Sequence, residues 1–239
     1  MVYRMKTISE VLGSRKYPGR GIIMGVSPDG TKMTVAYFIM GRSENSRNRV
    51  FEETPTGLRT RAFDESKVTD PGLIIYNPVV VIGDRLIVTN GEQTDQIAAL
   101  MTGRHQLTFA QALHFNKFEP DAPIYTPRIS AIMGCDNPHY SLSISKTADG
   151  NPDSCQRFVY SYDEPVAGQG HCIHTYGDDD VNLPSFCGEP HTLTTQDNID
   201  TFTDEIWSAL NADNKVSLYT RFVTIETNEY ETRLINKYE

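Results

Sequence analysis

Val35-Ala36-Tyr37-Phe38-Ile39-Met40-Gly41-Arg42-Ser43-Glu44-Asn45-Ser46-Arg47-Asn48-Arg49-Val50-Phe51 is the stretch on which the fold turns. An apolar run, Val35 to Met40, stops at Gly41, a polar loop follows, and apolar residues resume at Val50. The loop carries three guanidiniums, Arg42, Arg47 and Arg49, within eight residues. Their mutual repulsion is tolerable when an anion sits between them, and the planar arginine fork can make two hydrogen bonds to one phosphate or carboxylate. Two readings stand at this point: an anion site, or a solvated hairpin tip with incidental charge.

Working outward, Arg20-Gly21-Ile22-Ile23-Met24-Gly25-Val26 precedes Ser27-Pro28-Asp29-Gly30, a strong turn signal. Thr31 to Met40 returns as a strand, so residues 20–40 read as a β-hairpin, with a third strand beginning near Arg49. Residues 7–12 read as a short helix and residues 53–71 as polar connection. The runs 73–82 and 85–89 are continuous apolar stretches, the pattern of strands buried on both faces.

Asn90-Gly91 follows at once, with Ile97, Ala98, Leu100 and Met101 marking one helical face and Asn90 as the expected cap. A second helix is expected at 108–115, where Thr108 and Gln111 have capping-box spacing. Strands are expected near 129–133, 139–145, 156–162 and 169–175, then a long acidic loop at 176–193. Ile199, Phe202, Ile206 and Leu210 recur at helical spacing within 196–211, and 215–226 with 229–236 reads as a closing hairpin. Strands, a few helices, more strands, a helix and a final hairpin give an α+β sandwich with helices outside antiparallel sheets. Regular βαβ alternation and glycine-rich dinucleotide or phosphate-loop motifs are not present in the sequence.

The chain has 239 residues, with 38% hydrophobic and 22% charged, an ordinary globular composition read as one domain over 1–239. A net charge of −9 argues against nucleic-acid or anionic-membrane partners and makes any basic pocket a local feature. No run approaches the roughly 20 apolar residues of a bilayer span, and no stretch near Met1 has the apolar core of a signal peptide. Cys135, Cys155, Cys172 and Cys187 form no paired motif, so reduced thiols and a cytoplasmic location are expected. A homo-oligomer is left open.

His171-Cys172-Ile173-His174, with Cys187 and His191 downstream, invites a zinc reading, but the spacing matches no standard finger, and the expectation is no metal. The Asp178–Asp180 run lacks calcium-loop spacing and reads as a solvated loop. No nucleophile–histidine–acid signature is present in the sequence.

Polar groups at the ends of apolar strands form a third, distributed set: Arg20, the arginine loop, Tyr76-Asn77, Asn90-Gly91 with Thr94-Asp95, and Tyr125-Thr126-Pro127-Arg128. Here the sequence resembles the archaeal-type IMP cyclohydrolases and their bacterial relatives. The matching segments, in the same order, are Gly19-Arg20, Gly41-Arg42-Ser43 with Asn48-Arg49, Tyr76-Asn77, Val88-Thr89-Asn90-Gly91 with Thr94-Asp95, and Tyr125-Thr126-Pro127-Arg128-Ile129. The resemblance runs from about residue 17 to 135. This chain departs from it in residues 1–16, in a longer arginine loop with Arg47 inserted, and in a divergent stretch from 146 to 239.

The resemblance implies a four-layer αββα sandwich like that of the N-terminal-nucleophile hydrolases, used without a self-cleaving nucleophile. It implies dehydrative ring closure of formylated aminoimidazole carboxamide ribonucleotide to IMP, with a purine ribonucleotide as the small-molecule partner and no cofactor. Arg42, Glu119 and Tyr76 are then the expected catalytic groups. Arg20, Arg49, Asn77, Asn90, Gly91, Asp95, Tyr125, Thr126 and Arg128 are the expected substrate-binding set. Two other functions remain on this reading: a non-catalytic purine-nucleotide binder, and a hydrolase of another C–N bond.

Overall fold

The computed structural model describes residues 4–68, 75–104, 106–134, 138–177 and 183–238. Its strands are β1 Arg20–Val26, β2 Lys32–Met40, β3 Val50–Thr54, β4 Gly57–Arg61, β5 Val79–Ile82, β6 Arg85–Thr89, β7 Arg128–Gly134, β8 His139–Ala148, β9 Asn151–Tyr162, β10 Gln169–His174, β11 His191–Thr194, β12 Lys215–Thr224 and β13 Tyr230–Asn236. The helices are α1 Ile8–Leu12, α2 Glu44–Arg47, α3 Gln93–Thr102, α4 Phe109–Ala112 and α5 Ile199–Ala209. One sheet has six strands in the order β11-β10-β1-β2-β12-β13, the other seven in the order β3-β4-β5-β6-β7-β8-β9. All pairings within them are antiparallel. The mixed, mainly antiparallel α+β class expected from the sequence is the observed one.

The apolar run of β2 is continuous because both faces of the strand are covered. Met33, Val35, Tyr37 and Ile39 join Ile22 and Met24 of β1 in a core shared with Leu58, Val79, Val88, Ile129 and Leu142 of the other sheet. Ala36, Phe38 and Met40, alternating with them, point the other way, onto Ile8 and Leu12 of α1 and Phe202 and Ile206 of α5. Strand periodicity of two therefore divides one hydrophobic string between two cores. The second sheet repeats the arrangement: Leu86 and Val88 face inward, while Ile87 and Ile132 pack on Ile97, Met101, Phe109 and Leu113 around α3 and α4. Fully burying a side chain such as Phe38 contributes about 1.5–3 kcal/mol.

The helix starts follow local chemistry. Thr7, Ser43 and Thr108 each close a reciprocal capping box with the residue three positions on. Asn90 does not cap α3, contrary to the sequence expectation; the helix begins after Glu92 with no side-chain cap. The Asn90 amide is committed elsewhere, as described below.

Three further differences stand out. The sequence pattern over 53–71 predicts connection, yet β3 and β4 pair from Val50↔Arg61 to Thr54↔Gly57. Alternation there is weak, and only Val50, Phe51, Gly57, Leu58 and Thr60 are buried on these strands, so an edge hairpin of charged residues looks like a loop. The arginine loop contains the single turn of α2, set by the Ser43–Ser46 box. A short strand, β11, lies at the end of the supposed acidic loop. Leu73 and Ile74, Cys135, and Asp178 to Asp180 lie outside the described residues.

Candidate active site

Antiparallel strands alternate direction, so the start of β1, the end of β2, the start of β3 and the end of β10 meet at one rim of the two sheets. A cavity of about 290 Å³ opens there, close to the lower end of the size usual for small-ligand sites. Arg20, Arg42, Arg49, Glu119 and Thr126 line it together with Tyr17, Asp121 and Tyr176.

Arg20 and Glu119 form its ion pair, the most buried one among the described residues. Nη1 of Arg20 lies 3.1 Å from Oε1 of Glu119, with the two side chains only 11% and 10% exposed. The same nitrogen donates to the carbonyl of Asn90 at 3.0 Å. Burial works against the guanidinium charge, but the Glu119 carboxylate, with the phenols of Tyr76, Tyr176 and Tyr37, outweighs it and holds the Arg20 pKa above its ordinary value.

The loop arginines divide their tasks. Arg49 is buried, donating through Nε to the Ser46 carbonyl at 2.8 Å and through Nη2 to that of Met40 at 3.2 Å. Arg47 does not line the cavity; it staples the loop to Gly41 and Asn214. Arg42 is exposed, its guanidinium resting 4.7 Å from the centre of the Tyr17 ring. Tyr17 in turn stacks on Tyr176, with ring centres 5.8 Å apart. The arrangement is a cation on a two-ring aromatic wall.

Tyr176, in the half of the chain outside the resembling segments, carried no sequence signal. Its buried phenol shares a 2.9 Å hydrogen bond with the Thr126 hydroxyl, and its carbonyl meets Nδ1 of the buried His174 at 2.7 Å. Gly19 permits this approach: at φ +83°, a Cβ there would fall 2.1 Å from the Thr175 hydroxyl and 2.7 Å from the Tyr176 ring. Asp121, also unanticipated, accepts from both the amide and the hydroxyl of Thr126. Thr126 returns its carbonyl to the amide of Glu119 at 2.8 Å. Asp121, Thr126, Tyr176 and Glu119 therefore form one connected unit.

The remaining expected residues surround this cavity rather than line it. Tyr76 is buried beneath Arg20, sharing a 2.8 Å hydrogen bond with Tyr37. Asn90 is fully buried: it donates to the Pro127 carbonyl at 2.8 Å and accepts from the Ile129 amide at 3.0 Å and from Gln93. It is a clamp between β6 and β7 that presents its own carbonyl to Arg20. A Cβ on Gly91 would lie 3.6 Å from Oε1 of Glu119 and 2.9 Å from Nη1 of Arg128, so Gly91 lies just behind the ion pair. Arg128 is engaged by Gln93 and, at 2.9 Å, by Glu92. Asn77 donates to both carboxylate oxygens of Asp95 on the exposed side of α3. Tyr125, at φ +48°, turns its ring edge-on to Phe118 and lines a neighbouring cavity instead.

The His/Cys run holds no metal cluster among the described residues. Nη2 of Arg15 stands 3.1 Å from Nε2 of His191, and burial depresses the His174 and His191 pKa values to about 3 and about 4. Cys172 is buried, with its thiol pushed up to about 12. His174 and Cys172 are neutral buried groups, and His191 is a neutral, half-buried one.

Residues 17–229 match the family described as IMP cyclohydrolase-like protein. The chain belongs to the IMP cyclohydrolase-like family. An IMP cyclohydrolase of the archaeon Methanococcus aeolicus is 29% identical over 118 residues, which is 49% of this chain and 58% of that protein. The chain thus spans under two thirds of that curated relative's length. The family match continues well past residue 135, where the sequence resemblance ended, and it includes Tyr176. Among the described residues no helix is long and apolar enough to cross a membrane.

Proposed function

We propose that this member of the family is an IMP cyclohydrolase, closing the ring of formylated aminoimidazole carboxamide ribonucleotide with loss of water. The observation that carries the reading is the buried Arg20–Glu119 pair, set in a cavity whose other cations, Arg42 and Arg49, face no carboxylate partner within ion-pairing distance among the described residues. The layering of helices, two sheets and helices supports the four-layer αββα scaffold of the N-terminal-nucleophile type.

In this reaction the carboxamide nitrogen attacks the formyl carbon of the same molecule, so much of the acceleration is positional. Glu119 removes the amide proton and passes it to the formyl oxygen, which becomes a hydroxyl; that hydroxyl then leaves as water with the proton of the formamide nitrogen, and the C=N bond of the closed ring forms. Arg20 orients that carboxylate and faces the oxygen that gains charge. Arg42 and Arg49 take the 5′-phosphate, Tyr17 and Tyr176 flank the planar ring, and Thr126 fixes the relation of Tyr176 to Glu119. Tyr76, through Tyr37, supports the Arg20 end. Asn90, Gly91 and Arg128 position the ion pair from behind, while Asn77 and Asp95 tie the start of α3.

The test is conversion of the formylated nucleotide to IMP by the purified protein, followed in the ultraviolet. Arg42→Ala should raise KM roughly 10- to 150-fold, the worth of a charge-assisted hydrogen bond of about 1.5–3 kcal/mol. Glu119→Gln should lower kcat with a smaller effect on KM. Thermal stabilisation by IMP without turnover would favour a binding protein over an enzyme, and wild-type rates in both variants would remove the site assignment.

A further inference from the structure

A second cavity, of about 350 Å³, adjoins the first and shares Ile124 and Leu183 with it. Lys146 and Cys187 line this second cavity, and neither takes part in the chemistry above. Lys146 projects from β8 and is buried, yet its ammonium ends against a sulfur: Nζ donates to the Phe186 carbonyl at 2.8 Å and lies 3.0 Å from Sγ of Cys187. Its other neighbour is the Phe158 ring, 5.7 Å to the centroid. Cys187 is exposed and free, so a dissolved oxidant reaches the sulfur, while the nitrogen is held in place by a backbone carbonyl. The separation is at the short edge of the roughly 3–3.5 Å range of a near-attack geometry.

We propose that Lys146 and Cys187 are a modification site, joined under peroxide by a reversible sulfenamide bond. Peroxide first converts the Cys187 thiol to a sulfenic acid, releasing one water. Nζ, having given its ammonium proton to solvent, then attacks Sγ. The S–O bond breaks, and hydroxide leaves with a nitrogen-bound proton as the second water. Thiol, amine and one peroxide thus give an S–N bond and two waters, and a small-molecule thiol restores the starting pair.

The bond ties β8 to the segment that supports the first cavity. Leu183 lines that cavity, the Gly177 amide donates to the Pro184 carbonyl at 2.8 Å, the Phe186 amide donates to that of Thr175 at 3.0 Å, and Ser185 bridges to Tyr176. The tether therefore restrains the wall carrying Tyr176, whatever ligand the cavity takes.

The test treats purified full-length protein with hydrogen peroxide and maps its peptides by mass spectrometry. The expected product is a Lys146-peptide joined to a Cys187-peptide, lighter than the two together by two hydrogens and separated again by dithiothreitol. It should be absent from Cys187→Ser and Lys146→Arg and retained in Cys155→Ser, with circular dichroism checking each fold. Amide exchange at Gly177 and Phe186 should slow in the bridged form. Sulfinic acid at Cys187 with Lys146 unmodified, or a disulfide to another cysteine, overturns the proposal. Unchanged exchange at both amides overturns its link to the cavity wall.

Discussion

Replacing Arg20 with Met leaves the Glu119 carboxylate, only 10% exposed, without the guanidinium 3.1 Å away. Removing one partner from a buried pair typically costs about 3–5 kcal/mol, because the other charge stays in a poor solvent. In a chain of this length each kcal/mol shifts the melting temperature by about 2–4 °C, so the expected drop is roughly 6–20 °C. Glu119→Leu should fall by a similar amount for the mirror-image reason. The double variant Arg20→Met/Glu119→Leu is the informative one. It removes both charges and refills the volume with apolar atoms, so it should cost less than either single variant alone, which puts the coupling between the sites above about 3 kcal/mol. Urea unfolding followed by circular dichroism on the four proteins gives the cycle. On the proposed mechanism turnover should not return with stability, since that mechanism places both removed groups at the reacting atoms. Additivity within about 0.5 kcal/mol would refute the buried pair as described. A stable double variant with wild-type turnover would refute its chemical role.

Tyr176→Phe removes one hydroxyl from the cavity wall and its bond to Thr126, so kcat should fall while stability drops by about 0.5–1.5 kcal/mol; steady-state kinetics beside a thermal melt separates the two. His174 has its folded pKa depressed by burial to about 3, so the unfolded chain binds the extra proton first as pH falls. Its contribution to stability is therefore complete above about pH 6.5 and is lost below it, by about 1.4 kcal/mol per pH unit until the folded value is approached. His174→Phe should flatten that part of a stability–pH curve, and an unchanged slope would count against the burial. Gly91→Ala would set a methyl 2.7 Å from Oε1 of Gln93 and 2.9 Å from Nη1 of Arg128. Both atoms end flexible side chains, so moving them should cost about one strained hydrogen bond, roughly 0.5–1.5 kcal/mol in a denaturant titration, and raise KM by disturbing Glu119.

Much of the framework was legible because its signals were local. The Ser27–Gly30 turn, the apolar string of β2 and the helical spacing of Ile199, Phe202 and Ile206 each specify one element without help from elsewhere. The β3–β4 hairpin was not legible, since an edge pair with Glu52, Arg59 and Arg61 outward is held by its partner strands rather than by its own pattern. Within the site, Arg20, Arg42, Arg49, Glu119 and Thr126 do share one cavity. Asn90 and Arg128 share its supports instead, because a strand-end polar residue has the same sequence appearance whether it faces a ligand or clamps the next strand. Tyr176 and Asp121 escaped notice because their meaning lies in contacts across 50 and 5 residues, which no spacing rule records.

The division among the arginines also explains why an acidic chain tolerates so much positive charge in one place. Arg47 and Arg49 spend their hydrogens on Gly41, Met40, Ser46 and Asn214, so their charges are spread into carbonyl dipoles and their side chains are fixed. Arg20 is compensated by Glu119. Arg42 alone of the four rests on an aromatic face, a contact that leaves its in-plane hydrogens available. On the proposed reading the loop needs little reordering when an anion arrives: most of the conformational entropy of holding guanidiniums together was lost on folding, and the exposed Arg42 fork completes the contact. By the same logic, the charge that makes the loop conspicuous in the sequence is divided between Arg47, which builds the site, and Arg42 and Arg49, which line its cavity.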